Sequence, residues 1–143
     1  MYLWFSVIGE TVVYTVYNDA DTERLLEDGL PWPTEPRRAN LGDGVYAWGS
    51  LSEAERYMEI KQRRTSEHLQ ILKCSISKKE LAQMNTLDLR MFSDEEASLF
   101  LDTYARLNGG VPNHGYDYII RKTTLGVEHY LHKDIFSKLN FMK

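Results

Sequence analysis

The chain has 143 residues, of which 43% are hydrophobic and 27% charged, and its formal net charge is -4. This size and balance predict one globular domain over residues 1–143 with a sizeable core. Acidic and basic residues are spread along the chain, so the composition lacks the broad basic surface that duplex nucleic acid or an anionic membrane requires.

The N-terminal part predicts two strands followed by a helix. Residues 2–8 and 11–17 are rich in Val, Tyr, Ile and Phe and flank a glycine, which is typical of strands joined by a tight turn. An acidic first turn and a closing glycine predict a helix over 19–29. Leu25 and Leu26 are expected on its buried face.

The middle of the chain predicts a strand over 44–49, a helix capped by Ser50 or Ser52, and an alternating, half-buried strand over 67–77. Cys74, in the second of these strands, is predicted to be a small buried thiol. A single cysteine forms no internal disulfide, which favours a reducing, cytoplasmic setting.

The next segments predict a short helix over 78–84, an extended piece over 86–92 and a longer helix. Ser93 and Glu96 have the spacing of a capping box at the start of that longer helix. Its apolar stripe is predicted to be buried and consists of Ala97, Phe100, Leu101, Tyr104 and Leu107.

Two strands, 116–122 and 127–132, are predicted before a tail over 134–141 that we expect to be extended. The irregular order of strands and helices predicts an α+β fold with mainly antiparallel pairing. Alternation along 127–132 puts Glu128 and Tyr130 on one face, so Glu128 can point into a cleft lined by aromatic residues. A solvated glutamate on an edge strand is the alternative interpretation.

Several common sites are disfavoured by their context. Residues 42–47 (GDGVYA) match a dinucleotide fingerprint, but a strand follows the glycines where that motif needs a helix. The glycines instead indicate a sharp turn and a close backbone approach. We predict no metal site, because the one close histidine pair, His129 and His132, points to opposite faces of a strand.

Taken in chain order, three segments resemble the ADP-ribosyltransferase family, which includes bacterial toxins and poly-ADP-ribose-polymerase-like enzymes that cleave NAD at the nicotinamide bond. Residues 13–30 resemble the family's first strand and helix. Residues 41–58 resemble its Gly-x-Gly-hydrophobic-Tyr turn, strand and helix. Residues 115–139 resemble a Gly-Tyr-Asp-x-Ile-Ile strand, a turn, and a strand led by the catalytic glutamate.

The resemblance implies split, mainly antiparallel β-sheets with flanking helices and a cleft that binds NAD as a substrate. It also implies transfer of ADP-ribose to a protein or nucleic-acid acceptor, as in the toxins of the family. Tyr46 matches the tyrosine that stacks on nicotinamide, and Glu128 matches the catalytic glutamate. A fixed carboxylate stabilises the positive charge that develops on ribose when the C–N bond breaks.

The chain departs from the family at two positions. Tyr14 and Thr15 match the first-strand motif, where many members carry a His or Arg that grips NAD, so Thr15 implies a weaker contact. Arg37 and Arg38 can supply a phosphate contact, or they are solvated loop residues. Gly126 replaces the Gln or Glu of arginine-directed transferases, which disfavours arginine as the acceptor.

Two other functions stay open at the level of sequence. A binding domain on the same scaffold that has lost catalysis would explain Thr15. An unrelated α+β interaction module would place Tyr46, Trp48 and Tyr118 in its core and Glu128 in solvent.

Overall fold

The computed structural model describes residues 9–28, 41, 44–107 and 115–143. The strands in this part of the chain are β1 (Glu10–Asn18), β2 (Gly44–Trp48), β3 (Leu69–Ser77), β4 (Thr86–Asp88), β5 (Tyr118–Lys122), β6 (Val127–His132) and β7 (Asn140–Met142). The helices are α1 (Asp19–Asp28), α2 (Leu51–Gln62), α3 (Lys78–Ala82), α4 (Asp94–Leu107) and a 3₁₀ helix (Lys133–Lys138). The predicted strand over 2–8 lies outside the described residues.

The described strands form one sheet in the order β4-β5-β6-β2-β1-β3-β7. Every neighbouring pair is antiparallel except β4 and β5, which are parallel. The predicted α+β class with mainly antiparallel pairing is therefore confirmed.

The expected split into two sheets is wrong for these strands, although one junction is narrow. β1 pairs with β3 from Glu10 to Asn18, but it pairs with β2 only where Tyr14 lies opposite Trp48. Beyond Trp48 the pairing with β6 continues, because the Gly49 amide donates to the Val127 carbonyl at 3.3 Å. The sheet is thus continuous, and β1 and β2 are joined at a single register position.

The two faces of the sheet bury different helices. One face, here called the front face, carries Trp48 and Tyr130 and packs against α2 and α4 through Ala54 and Ala97. The opposite, back face packs against α1 and the 3₁₀ helix, and its core residues are Val13, Leu25, Val45, Ala47, Leu72, Cys74, Ile76, Tyr118, Ile120, Leu131, Ile135, Phe136 and Leu139. Cys74 is fully buried, as predicted, and burial raises the pKa of its thiol to about 12.

The predicted helix caps are confirmed where the structure describes them. The Ser50 hydroxyl accepts a hydrogen bond from the Glu53 amide at 3.3 Å, which identifies Ser50 as the cap of α2. At the start of α4, Ser93 accepts from the Glu96 amide at 3.1 Å, and the Glu96 carboxylate accepts from the Ser93 amide at 3.2 Å. These reciprocal bonds are those of a capping box.

Four sequence predictions need correction. Leu26 and Phe100 are exposed, because Leu25 and the pair Ala97 and Leu101 already fill the buried faces of their helices. The tail is not wholly extended: residues Lys133–Lys138 form a 3₁₀ helix that buries Ile135 and Phe136, and only β7 is a strand. Of the piece over 86–92, only Thr86–Asp88 is a strand. The side chains of Tyr104 and Leu107 lie outside the described part.

No helix in the described residues is long and apolar enough to span a membrane.

Candidate functional site

The residues matched to the family motifs lie on three adjacent strands in the middle of the sheet. β6, β2 and β1 are neighbours, and their register sets Tyr14 opposite Trp48 and Trp48 opposite Glu128. On the other side of β6, Glu128 lies opposite Arg121 of β5. Because directly paired residues point to the same face, these four side chains form a row across the front face.

Glu128 and Arg121 form an ion pair within this row. Glu128 Oε1 accepts a hydrogen bond from Arg121 Nε at 3.0 Å and lies 2.9 Å from Arg121 Nη2. The exposed fractions of the two side chains are only 10% for Arg121 and 15% for Glu128. Glu128 therefore points into the protein, as one interpretation of the sequence predicted, and is not a solvated edge residue.

Sequence analysis did not single out Arg121, although a signal was present. The turn between β5 and β6 is closed by bonds between Thr123 and the Gly126 carbonyl, which fixes a hairpin register that pairs Arg121 with Glu128. Oppositely charged residues at such spacing across a short turn predict a cross-strand pair. The sequence showed this spacing, but it did not show that the pair is buried.

Tyr46 lies on the same face as Glu128, one row along the sheet. It is directly opposite Tyr130, and the two rings are 5.1 Å apart at their centroids. The Tyr46 hydroxyl accepts a hydrogen bond from the Leu41 amide at 3.0 Å. The structure therefore brings Tyr46 and Glu128 together on one face, but the aromatic ring directly opposite Glu128 belongs to Trp48.

Trp48, a member of this row, is buried against helix α2. Its ring lies 5.3 Å from that of Tyr57, and it packs with Ala54 and with Tyr14. Tyr14 is thus also on the front face, at the far end of the row from Arg121.

Thr15 points to the back face, away from Tyr14 and Glu128. Thr15 is 1% exposed, and its hydroxyl donates a hydrogen bond to the Tyr46 carbonyl at 2.9 Å. Tyr17, on the same face, shares a hydrogen bond with Thr15, and burial raises the pKa of its phenol. Thr15 therefore joins β1 to β2, and the structure does not bring it to the Glu128 side of the sheet. Arg37 and Arg38 lie outside the described residues.

The glycine of β2 approaches its own neighbour strand closely. A Cβ at Gly44 would lie 2.4 Å from the Leu131 carbonyl oxygen and 2.7 Å from a Tyr130 ring carbon. The close backbone approach that the Gly-x-Gly sequence indicated is therefore confirmed at Gly44, and what it approaches is β6. Gly42 is not among the described residues.

Helix α2 contributes a second carboxylate, that of Glu53, which binds the backbone at the start of β6. One oxygen of Glu53 accepts a hydrogen bond from the Val127 amide, and the other accepts from the Ser50 hydroxyl at 2.7 Å. A Cβ at Gly126 would lie 1.8 Å from Glu53 Oε2. Gly126 is thus explained by packing, since the Glu53 carboxylate occupies the space that a side chain at position 126 would need.

A separate polar group lies on the back face of β4, β5 and β6. The Tyr118 hydroxyl and His129 Nδ1 share a hydrogen bond of 2.6 Å, and their rings stack with centroids 5.8 Å apart. Burial, and next the positive charge of Arg90, lower the pKa of His129 to about 4. Burial raises the pKa of Tyr118 to about 12. Both side chains are therefore uncharged at neutral pH.

Within the described ranges, no three His, Cys, Asp or Glu side chains are grouped so that they could hold a metal ion.

No protein-family model matches the chain, and no curated protein matches it.

Proposed function

We propose that this chain is an ADP-ribosyltransferase-like protein that binds NAD against the front face of its sheet and transfers ADP-ribose to a macromolecular acceptor. The observation that carries the proposal is the adjacency of β6, β2 and β1. These strands contain the three matched motifs, which are far apart in sequence, and they set Tyr46 and Glu128 on the same face.

In this proposal the ring of Tyr46 on β2 holds the planar nicotinamide, while Trp48 is buried beneath α2 and supports the row. Tyr46 is the residue matched to that role, and Trp48 lies directly opposite the acid. Stacking on an aromatic face binds a planar heteroaromatic ring without needing a charged partner. The weak first-strand motif leaves Tyr46 as the main determinant of NAD affinity among the matched residues.

Glu128 supplies the carboxylate that stabilises the developing positive charge on ribose. Breaking the C–N bond releases nicotinamide with the bonding electrons and leaves an oxocarbenium-like sugar, to which an acceptor nucleophile then adds. The hydrogen bond from Arg121 Nε and the close contact of Nη2 both involve Oε1. Oε2 is therefore the oxygen assigned to the ribose hydroxyls, while Arg121 fixes the orientation of the carboxylate.

A second function is favoured by the same ion pair. The Glu128 carboxylate is neutralised by Arg121, and its side chain is only 15% exposed. Thr15 faces the other side of the sheet. Both features are also expected of a binding domain that has no catalytic activity. In that case NAD or a partner binds to the front face and no bond is cleaved. Calorimetric titration of the wild type with NAD and measurement of nicotinamide release distinguish the two functions.

The decisive experiment measures nicotinamide release from NAD by the wild type and by Glu128→Gln. We expect release by the wild type and a loss of at least about a hundredfold in Glu128→Gln, which keeps the shape and an acceptor oxygen but loses the charge. Glu10→Gln, an exposed glutamate of β1, is the matched control and should retain wild-type activity. NAD binding without release would select the second function with NAD as its ligand, and the absence of both would refute the transferase and leave only binding of a partner.

A further inference from the structure

The residue that precedes Glu128 is held by hydrogen bonds from two elements. The Val127 carbonyl accepts from the Gly49 amide at 3.3 Å, which extends the pairing of β2 with β6 by one residue. In a hydrogen-bonded antiparallel pair the two residues usually exchange both bonds. Here a side chain makes the second bond, because the Val127 amide donates to Glu53 Oε2 of α2. The start of β6 is therefore fixed partly by a carboxylate that comes from another element, 74 positions away in the chain.

Glu53 is itself held in place by the cap of α2. Its Oε1 accepts from the Ser50 hydroxyl at 2.7 Å, and its amide donates to Ser50 Oγ at 3.3 Å. α2 packs on the front face through Ala54, which is fully buried. Each carboxylate oxygen of Glu53 therefore has a protein donor, as expected of a group that holds structure in place.

Glycine at position 126 permits the contact between Glu53 and the strand. A Cβ there would overlap Glu53 Oε2 and would lie 2.6 Å from its carboxyl carbon. A residue with a side chain would therefore push the carboxylate away from the Val127 amide. We call the contact formed by Glu53, Gly126 and Val127 the Glu53 clamp.

The Glu53 clamp acts on the residue next to it. Glu128 follows Val127, so the bonds to Val127 fix the backbone from which the Glu128 side chain projects. Arg121 fixes the other end of that side chain, through the bond of 3.0 Å from Nε to Oε1. A reacting group must be held to within about 0.5 Å of its productive position. A misplacement of about 1 Å can lower a rate by about a hundredfold.

We propose that Glu53 is a positioning residue for Glu128, an inference that rests on the proposed function in which Glu128 stabilises positive charge on ribose. Glu53 acts through the Val127 amide and is assigned no contact with NAD. Its carboxylate sets the backbone at the start of β6, and the backbone sets the place of the Glu128 carboxylate. Loss of the clamp should therefore slow cleavage of the C–N bond and leave NAD binding unchanged.

The test measures kcat and KM for nicotinamide release from NAD. We expect Glu53→Ala to lower kcat by at least about tenfold and to leave KM unchanged. Glu53→Gln should recover most of the lost activity, because its amide oxygen can accept from Val127 and its NH2 group can donate to Ser50. Glu55→Ala, which removes an exposed glutamate from the same helix, is the matched control and should behave like the wild type.

A second variant reaches the clamp from the other side. Gly126→Ala displaces the Glu53 carboxylate, so it should lower kcat by a similar factor and add no further loss when combined with Glu53→Ala. In the Glu128→Gln background the carboxylate to be positioned is gone, so Glu53→Ala should not reduce the residual rate further. Amide hydrogen exchange, which does not depend on NAD, should be faster at Val127 in Glu53→Ala than in the wild type.

The possible failures are distinguishable. A wild type that releases no nicotinamide would refute the proposed function, and the role of Glu53 with it. With an active wild type, an equally active Glu53→Ala would refute the role of Glu53 alone. A raised KM with unchanged kcat would instead make Glu53 part of the NAD site, and a Glu53→Gln as slow as Glu53→Ala would show that its charge is required and not its position. Both results would overturn the inference.

Discussion

Two arginine–carboxylate pairs on neighbouring strands show how differently the same chemistry can be placed. Arg121 and Glu128 lie in the middle of the front face with exposed fractions of 10% and 15%. Arg90 and Asp88 lie at the sheet edge beyond β4, with exposed fractions of 52% and 43%. Arg90 donates hydrogen bonds to both oxygens of Asp88, the shortest of 2.6 Å, whereas Arg121 donates one bond of 3.0 Å to a single oxygen of Glu128. The exposed pair therefore has the more extensive hydrogen bonding, and the buried pair is distinguished by its burial.

The difference in burial determines what each pair contributes. Water solvates Arg90 and Asp88 whether or not they touch, so an exposed pair of this kind stabilises a protein by about 0–1 kcal/mol. Arg121 and Glu128 have given up most of their water, and each depends on the other to replace it. The buried pair is therefore the one whose disruption should be costly, and also the one placed where a ligand's charge would be felt.

The largest expected effect comes from breaking the buried pair. Glu128→Leu leaves the Arg121 guanidinium buried without its counter-charge, and we expect a loss of about 3–5 kcal/mol in the free energy of unfolding. Urea titration of the wild type and the variant measures this difference. A loss below about 1 kcal/mol would mean that Arg121 reaches water on its own and that the pair acts like an exposed one.

A double variant separates the cost of an orphaned charge from the value of the pair. Arg121→Met/Glu128→Leu removes both charges and keeps apolar volume, so its stability should return to within about 1–2 kcal/mol of the wild type or exceed it. If the double variant is no more stable than Glu128→Leu, the single loss reflects packing and not an unpaired charge.

A second test concerns the pH dependence of stability. His129 lies on the back face of β6, the strand that contains Glu128, and burial and the positive charge of Arg90 lower its pKa. Its pKa is lowered from 6.5 to about 4 in the folded protein, so the unfolded chain binds more protons between these values. Stability is therefore full above about pH 6.5 and falls as the pH drops toward 4, by on the order of 2 kcal/mol after allowing for partial exposure.

Urea unfolding at pH 7, 5.5 and 4 measures this slope. Glutamine at position 129 does not titrate, so His129→Gln should remove most of the pH dependence of stability between pH 6.5 and 4. The pKa values of Asp19 and Asp88 are lowered by hydrogen bonds, so these carboxyls change stability only below that range. An unchanged slope in His129→Gln would assign the pH dependence to other groups.

A third, smaller effect is expected where α2 holds the start of β6. Gly126→Ala places a methyl group 1.8 Å from Glu53 Oε2, so the carboxylate must leave the Val127 amide, at a cost of about 1–3 kcal/mol. In the Glu53→Ala background the space is free, so adding Gly126→Ala should lower the free energy of unfolding by less than about 0.5 kcal/mol. Equal costs in both backgrounds would show that the turn itself, and not Glu53, requires the glycine.

The contrast between the two pairs also marks where sequence reasoning stopped. Local signals were sufficient for the helices and their caps, because Ser50, Ser93 and Glu96 interact within one turn. Alternation correctly assigned Glu128 and Tyr130 to one face. The predictions of the helices and of this strand face depend on the spacing of residues within one segment, and the sequence of that segment shows this spacing directly.

What the sequence did not reveal depends on which strands become neighbours. Thr15 was grouped with Glu128 by motif, yet the odd-numbered residues of β1 face back while Tyr14 faces front. The aromatic ring opposite Glu128 is Trp48 because β2 and β6 pair in that register, and Gly126 is required because a distant residue, Glu53, fills its place. Phe100 fitted a helical stripe, but two smaller residues were sufficient to cover the core on that side.

The smallest effect completes the comparison. Asp88→Asn removes the charge from the exposed pair but keeps a side-chain oxygen for the Arg90 amide, which donates to Asp88 Oδ1 at 3.0 Å. We expect less than about 1 kcal/mol of destabilisation by urea titration at neutral pH, and the change should vanish in high salt. If Asp88→Asn costs as much as Glu128→Leu, exposure cannot be what separates the two pairs. Loss of the Asp88 charge should also move the His129 pKa slightly downward, since that carboxylate acts to raise it, and NMR titration of the imidazole would detect this even where stability does not change.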